Sequence, residues 1–154
     1  MAKTVDISKQ VTSVPECAFR TEILVRFADC DPAQMVFYPR FLVMFNDLVE
    51  DWFRDGLHLP FAEFHDVRGW GIPTVHLEVD FVAPCRLGEV LQASLAVQQI
   101  GRSSIHLQIL LHGPDGSDRV RGKVVLVLTE MKTTKAVPIP DDLRTRMANF
   151  KMTN

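Results

Sequence analysis

Residues 41–53 read FLVMFNDLVEDWF, and their apolar side chains recur at steps of three and four residues. That spacing places one wide apolar stripe on a single face of a helix. Pro39 suits the first helical turn, where its missing N–H costs nothing, and Gly56 suits a C-terminal stop. The sequence therefore predicts one long helix with an aromatic-rich face to be buried. The stripe consists of Phe41, Met44, Phe45, Leu48, Trp52 and Phe53.

Strand patterns lie on both sides of this helix. Residues 19–27 alternate with a period of two, and similar patterns return from Ile72 onward in about four longer segments. The tetrapeptide GPDG at residues 113–116 is a strong hairpin signal, and short turns demand antiparallel pairing. Short helices are expected over residues 60–67 and 141–150. The chain is thus predicted to be an α+β domain in which an antiparallel sheet wraps around the long helix.

Composition limits the classes of function. The 154 residues suit one domain, and a net charge of −2 argues against a nucleic-acid surface, which needs clustered positive charge. The three cysteines lack zinc spacing, so no metal is expected and a cytoplasmic compartment fits best. No stretch has the length of a membrane span. Residues 1–18 are expected to form a flexible arm, with docking as the alternative, before one domain over residues 19–150.

The loop DCDPAQ at residues 29–34 separates the first strand from the helix. A helix start presents unpaired N–H groups and the positive end of the helix dipole. Such donors can stabilise an oxyanion, and a nearby carboxylate can attack a carbonyl or activate water. On spacing alone, however, Asp31 is better explained as a helix cap or turn starter. Asp29 is interpreted as a turn or cap residue that could orient Asp31.

The wider segment at residues 27–41, FADCDPAQMVFYPRF, closely resembles the active-site segment of the 4-hydroxybenzoyl-CoA thioesterase family. Residues 77–89, LEVDFVAPCRLGE, are similar to the family's second strand and turn. The resemblance covers about residues 19–131. It implies the hotdog fold, hydrolysis of an acyl-CoA thioester to free acid and CoA, and no cofactor apart from the CoA of the substrate. It also implies a homodimer or homotetramer with sites at the interface.

The resemblance assigns roles by position. Asp31 corresponds to the catalytic aspartate, and the Tyr38 backbone N–H corresponds to the amide that polarises the thioester carbonyl. Gln34 stands where the family usually has glycine, which permits a positive φ. It therefore shifts the loop, restricts the acyl pocket or contributes its own amide. Phe37 is a candidate for lining that pocket, and the bulky Phe37-Tyr38 start favours an aromatic acyl group over a short- or medium-chain aliphatic one.

The bend at residues 101–104, GRSS, resembles the family's phosphate-contacting bend. Arg102 is the main candidate for binding the CoA phosphates, because its planar fork donates two parallel hydrogen bonds. Ser103 and Ser104 are secondary candidates. The alternative for Arg102 is a solvated turn arginine.

Two other functions compete with hydrolysis. A segment that resembles the site of a hotdog hydratase or dehydratase would have an aspartate followed within a few residues by a histidine. Residues 32–36, which follow Asp31, contain no histidine. An acyl-CoA-binding module without catalysis is favoured only by Gln34. Cys30 is interpreted as a packing residue rather than a nucleophile. Four of the five histidines are interpreted as surface or edge residues, namely His58, His65, His106 and His112. His76 lies on a strand face that either lines the pocket or faces solvent.

Overall fold

The computed structural model describes residues 11–153, over which seven strands and two α-helices follow one another. In chain order they are β1 (Phe19–Leu24), α1 (Pro39–Asp51), β2 (Trp70–Gly71), β3 (Thr74–Phe81), β4 (Val90–Ile100), β5 (Ser104–His112), β6 (Asp118–Val127), β7 (Thr129–Glu130) and α2 (Asp141–Ala148). Five strands form one antiparallel sheet in the order β1-β4-β5-β6-β3, and β2 pairs with β7.

The apolar stripe of α1 is buried against the sheet, as its spacing predicts. Fully burying a large apolar side chain is worth about 1.5–3 kcal/mol, so this face holds the helix in place. On β6, Gly122 leaves room for the Phe45 ring, because a Cβ at that position would overlap it. The α+β class, with an antiparallel sheet around one long helix, is confirmed. The buried stripe comprises Phe41, Met44, Phe45, Leu48 and Val49, and continues through Trp52 and Phe53.

Two local predictions need correction. The period-two pattern continues to Phe27, but β1 ends at Leu24 and the chain turns into a 3-10 helix at Phe27–Asp29. The Asp29 carboxylate accepts a hydrogen bond from the Arg26 N–H at 2.9 Å, which closes this turn and leaves Phe27 85% exposed. The short helix expected over residues 60–67 forms a π-helical turn, Ala62–Val67.

The segment before β1 contacts the far end of the sheet. Thr12 donates its N–H to the buried Asp118 carboxylate at 2.8 Å, and the His112 Nε2 lies 3.0 Å from the same carboxylate. Burial raises the pKa of Asp118, but hydrogen bonds from Thr12 and Arg121 outweigh it and hold the pKa below 3.8. Residues 1–10 of the expected arm lie outside the described residues, so its flexibility stays a prediction, as does the domain boundary at residue 19.

Strand β3 forms one edge of the sheet, and nearly all of its side chains are exposed. The start of α1 lies beside one end of this strand, since the Tyr38 and Phe81 ring centroids are 6.0 Å apart. A long exposed edge with apolar side chains is a common site of association. We name this surface the edge patch; its exposed apolar residues are Phe37, Tyr38, Leu42, Val75, Leu77 and Phe81.

Candidate active site

Asp31 lies in a tight loop between the 3-10 turn and α1. Its N–H donates to the Met35 carbonyl and its own carbonyl accepts from the Gln34 N–H, both at 2.9 Å. One carboxylate oxygen, Oδ1, accepts the Ala33 N–H at 2.9 Å. This side-chain bond closes an Asx turn. The other oxygen, Oδ2, receives no hydrogen bond from the part of the chain that the structure describes.

The helix-cap interpretation of Asp31 is wrong. The residue at the cap position of α1 is Tyr38, which makes no side-chain capping bond, and Asp31 lies seven residues before it. Asp31 closes only its own turn. Its carboxylate is therefore not committed to holding the helix.

Asp29 performs the structural role that the sequence left open. Its side chain is buried and accepts from the Arg40 guanidinium of α1, with Nη2 at 3.0 Å and Nε at 3.2 Å from Oδ1. Its backbone carbonyl accepts the Phe37 N–H at 2.9 Å. These three hydrogen bonds attach the Asp31 loop to the start of α1. Asp29 is thus a turn residue that positions the loop, as predicted.

The loop is also attached to the turn before β4. The Val36 N–H donates to the Cys85 carbonyl at 2.9 Å, and the Leu87 N–H donates to the Gln34 carbonyl at 3.0 Å. These bonds join the two segments that carry the family resemblance, residues 27–41 and 77–89. They meet in space and fix the backbone on both sides of Asp31.

The start of α1 presents an open backbone donor. The Phe37 N–H donates to Asp29, the Arg40 N–H to Phe37 at 2.8 Å, and Pro39 has no N–H. Among the residues that the structure describes, the Tyr38 N–H has no acceptor. It lies at the positive end of the helix dipole, where a developing anion is favoured. The Tyr38 and Phe37 rings are more than half exposed, at 61% and 51%.

Gln34 adopts the left-handed backbone conformation, with φ at +61°. Glycine reaches this region freely, whereas a residue with a Cβ is strained there. The positive φ expected for the glycine of the family is therefore kept although the residue has changed. The Gln34 side chain is exposed beside Asp31.

Cys30 does not have the environment of a nucleophile. Partial burial and the neighbouring carboxylates of Asp29 and Asp31 raise the pKa of its thiol above 9.0. Its Sγ lies 3.5 Å from the Arg26 carbonyl. This agrees with its interpretation as a packing residue.

Within one chain, the residues predicted to bind the CoA phosphates, at the bend of residues 101–104, lie far from Asp31. The bend at residues 101–104 follows the last residue of β4, whereas the Asp31 loop lies by the first, since the Val25 N–H donates to Glu89 at 2.9 Å. At about 3.3 Å per residue, the ends of this strand are about 33 Å apart. Arg102 is exposed, and its carbonyl accepts the Ile139 N–H at 2.9 Å. Ser103 and Ser104 are half-buried in the same bend.

A cavity of about 410 Å³ lies between α1 and β3, a volume suited to a small organic ligand. Its walls are apolar and aromatic, with a few polar side chains from separate elements. The sequence interpretation of His65 as a surface or edge residue missed this site. The aromatic spacing at residues 61, 64 and 65 was the available signal. Lining residues include Leu42, Phe45, Asn46, Phe61, His65 and Thr74.

Residues 11–153 contain neither a metal-binding cluster nor a helix that could span a membrane. No group of three or more His, Cys, Asp or Glu side chains in this range could hold a metal ion. Neither helix of this range has the length and apolar character needed to span a bilayer.

A sheet wrapped around a long helix, with an acidic loop at the helix start, defines the hotdog-fold thioesterases. The sequence profile of the thioesterase-like superfamily matches residues 25–147, and the chain belongs to this family. The family assignment covers the Asp31 loop, α1 and every strand apart from β1, which ends at Leu24. It leaves the acyl group open.

Two curated relatives and one crystal structure show what this chain is similar to. The 1,4-dihydroxy-2-naphthoyl-CoA hydrolase of Synechocystis sp. is 33% identical over 81 residues, 53% of this chain and 58% of that protein. The hydrolase of the same name from Thermosynechococcus vestitus is 27% identical over 120 residues, covering 77% and 81%. The crystal structure of a 1,4-dihydroxy-2-naphthoyl-CoA thioesterase from Synechocystis has a TM-score of 0.77 at 25% identity, covering 85% of this chain and 96% of that one.

These comparisons decide two predictions. The hotdog fold is confirmed, and the enzyme class, thioester hydrolase, is confirmed at the level of the superfamily. The narrower resemblance to the 4-hydroxybenzoyl-CoA thioesterase family is not confirmed, because the matched relatives are named for a dihydroxynaphthoyl thioester.

Proposed function

We propose that this protein hydrolyses an aromatic acyl-CoA thioester to the free acid and CoA. The observation that carries the proposal is the pairing of an uncommitted carboxylate oxygen on Asp31 with an open N–H on Tyr38. The carboxylate attacks the carbonyl carbon itself or takes a proton from the attacking water. The Tyr38 amide stabilises the oxyanion as the carbonyl becomes tetrahedral. Collapse breaks the C–S bond, and the CoA thiolate takes a proton from Asp31 in the general-base route or from solvent in the nucleophile route. In the nucleophile route a water then hydrolyses the acyl-Asp31 anhydride, which releases the free acid and restores the carboxylate.

The relatives support an aromatic acyl group that carries hydroxyls, since their names specify dihydroxynaphthoyl-CoA. 4-Hydroxybenzoyl-CoA belongs to the same class and remains the substrate favoured by the active-site segment. In this proposal Gln34 and Phe37 border the entrance beside Asp31, where both side chains are exposed. A short- or medium-chain aliphatic acyl-CoA is the alternative substrate.

We further infer that two copies of the chain complete one site, within a homodimer or homotetramer. The Phe81 end of β3 lies by Tyr38, and its Thr74 end lies near the bend at residues 101–104, since Thr74 pairs with Leu126 and Ser104 with Val127. If two β3 edges pair antiparallel about a twofold axis, the bend of one copy comes to the Asp31 loop of the other. Arg102, Ser103 and Ser104 would then bind the CoA phosphates.

The test is release of free thiol from a panel of aromatic and aliphatic acyl-CoAs. Asp31→Asn keeps an oxygen that can accept the Ala33 N–H, and therefore preserves the Asx turn while removing the carboxylate. We expect kcat to fall at least about 100-fold. Asp115→Asn is the matched control, because Asp115 also closes an Asx turn, with Ser117 at 3.1 Å. This control should keep full activity.

Full activity of Asp31→Asn would overturn the mechanism. Binding of acyl-CoA by the wild type with no thiol release would select the second candidate, a non-catalytic acyl-CoA-binding module. The strained Gln34 in the active-site loop is the observation that favours this candidate.

A further inference from the structure

The cavity between α1 and β3 contains three polar side chains in an otherwise apolar wall. Asn46 comes from α1, His65 from the π-helical turn Ala62–Val67, and Thr74 from the start of β3. Phe45 and Phe61 supply flat apolar surface. A pocket of this kind binds a planar aromatic group through its faces and orients it through a few polar contacts.

The hydrogen bond of His65 fixes which ring nitrogen can serve a ligand. Its Nδ1 lies 2.6 Å from the Trp70 carbonyl oxygen, and a carbonyl only accepts, so Nδ1 carries the proton. In the neutral ring Nε2 is then an acceptor. The ring is further held by edge contacts with Phe61, at 4.9 Å, and Phe64, at 5.1 Å between centroids. His65 therefore contributes a positioned acceptor to a cavity whose wall is mostly apolar.

The cavity is placed to receive the acyl group. Thr74 and Leu77 of β3 line it, so it opens at the free edge of the sheet. In the antiparallel pair described above, the Asp31 loop of one copy lies at the Thr74 end of the other. Within one chain, by contrast, Thr74 and Phe81 are at opposite ends of β3.

We propose that His65 is a specificity-determining residue, whose Nε2 accepts a hydrogen bond from a hydroxyl on the aromatic ring of the acyl group. This inference rests on the proposed thioesterase function and adds the group that recognises its substrate. A ring without a donor would leave this acceptor desolvated and unpaired, which lowers its affinity.

The test compares ligands that differ by one donor. The Asp31→Asn variant should turn over thioesters at least about 100-fold more slowly, so their dissociation constants can be measured by calorimetry before hydrolysis becomes significant. The probes are the three hydroxybenzoyl-CoA isomers and the three fluorobenzoyl-CoA isomers, in which fluorine replaces the hydroxyl without a donor. We expect at least one hydroxy isomer to bind about tenfold more tightly than its fluoro counterpart.

The variant His65→Asn, made in the same background, separates the two ring nitrogens. The amide nitrogen of asparagine occupies the position of Nδ1 and can still donate to Trp70, whereas the acceptor at Nε2 is lost. The tenfold preference should disappear, through weaker binding of the hydroxy isomer alone. His58→Asn is the matched control, since His58 lies outside the cavity and asparagine tolerates its φ of +54°.

The ligand comparison with His65 intact does not depend on whether His65→Asn folds. Equal affinity for every hydroxy and fluoro pair would overturn the inference, and so would a preference that survives His65→Asn. Both results leave the thioesterase proposal standing, provided that the thioesters bind. If Asp31→Asn binds none of the six, the proposed function fails together with the inference.

Discussion

At the scale of single residues, Gln34 has a strained backbone and lies close to Asp31. Its φ of +61° lies in a region where a side chain costs of order 1–2 kcal/mol. The hydrogen bonds of its N–H to Asp31 and of its carbonyl to Leu87 hold it there. Gln34 lies beside the proposed catalytic carboxylate of Asp31, and backbone strain clusters at functional sites.

Gln34→Gly should raise the free energy of unfolding by about 1 kcal/mol, because glycine relieves the strain and the gain exceeds its greater entropy in the unfolded chain. Urea unfolding measures the change. Gln34→Ala removes the same amide but keeps the Cβ, so it should give no gain. A gain in both variants would mean that the side chain, rather than the backbone, causes the strain.

The residue scale is where the sequence predicted most of the candidate site. The acidic loop, Asp31 and the unusual Gln34 were identified from one contiguous segment. The partners of these residues were not. The Arg40 side chain binds Asp29, and the Trp70 carbonyl binds His65. Neither the eleven-residue nor the five-residue separation of these pairs belongs to a recognisable sequence motif.

At the scale of elements, α1 packs on β6 through Phe45 and Gly122. A Cβ at residue 122 would overlap the Phe45 ring. Interiors are packed densely enough that such an overlap forces a shift of the side chain or of the helix.

Gly122→Ala should lower the free energy of unfolding by about 1–3 kcal/mol, the usual cost of overpacking a core. Denaturant unfolding measures the loss. Adding Phe45→Leu shortens the opposing ring, so the double variant should lose less than the sum of the two single variants. Strict additivity would contradict the predicted overlap.

Element types were predictable because they depend on local periodicity. The stripe of α1 and the hairpin at residues 113–116 each lie within one segment. Boundaries were less predictable where a side chain competes with the ladder, as Asp29 does after β1. The π-helical turns, Trp52–Gly56 and Ala62–Val67, share the apolar spacing of an α-helix and could not be distinguished from it.

At the scale of the whole molecule, the free edge of β3 is the surface through which the proposed homo-oligomer would form. β3 offers unpaired backbone groups along with the apolar side chains of the edge patch. The proposed cavity and the Asp31 loop both border it. This surface combines residues that are far apart in the sequence, between residues 31 and 126. No local pattern indicates such an arrangement, so the sequence predicted an oligomer only through the family resemblance.

Val75→Lys should weaken self-association at least about tenfold, since it places a charge on an edge strand that pairing would bury. Light scattering should give the wild type a mass of at least two chains and give the variant a larger monomer fraction. Thiol release should fall with the loss of dimer. Val67→Lys is the control, because Val67 is 79% exposed and lies outside the edge patch. A monomeric wild type would contradict the pairing.

The two tryptophans of the chain occupy opposite environments. Trp52 is fully buried between Phe53 and Phe150. Trp70 is half-buried, and the Arg68 guanidinium lies 5.3 Å from the centroid of its ring. Its backbone carbonyl accepts a hydrogen bond from His65 Nδ1. We therefore expect their intrinsic fluorescence to report two separate events. Trp52 emission should follow unfolding of the core. The Trp70 carbonyl holds His65, which lines the cavity, so Trp70 emission should change when the cavity is filled, and a Trp52→Phe variant would then serve as an optical sensor for acyl-CoA.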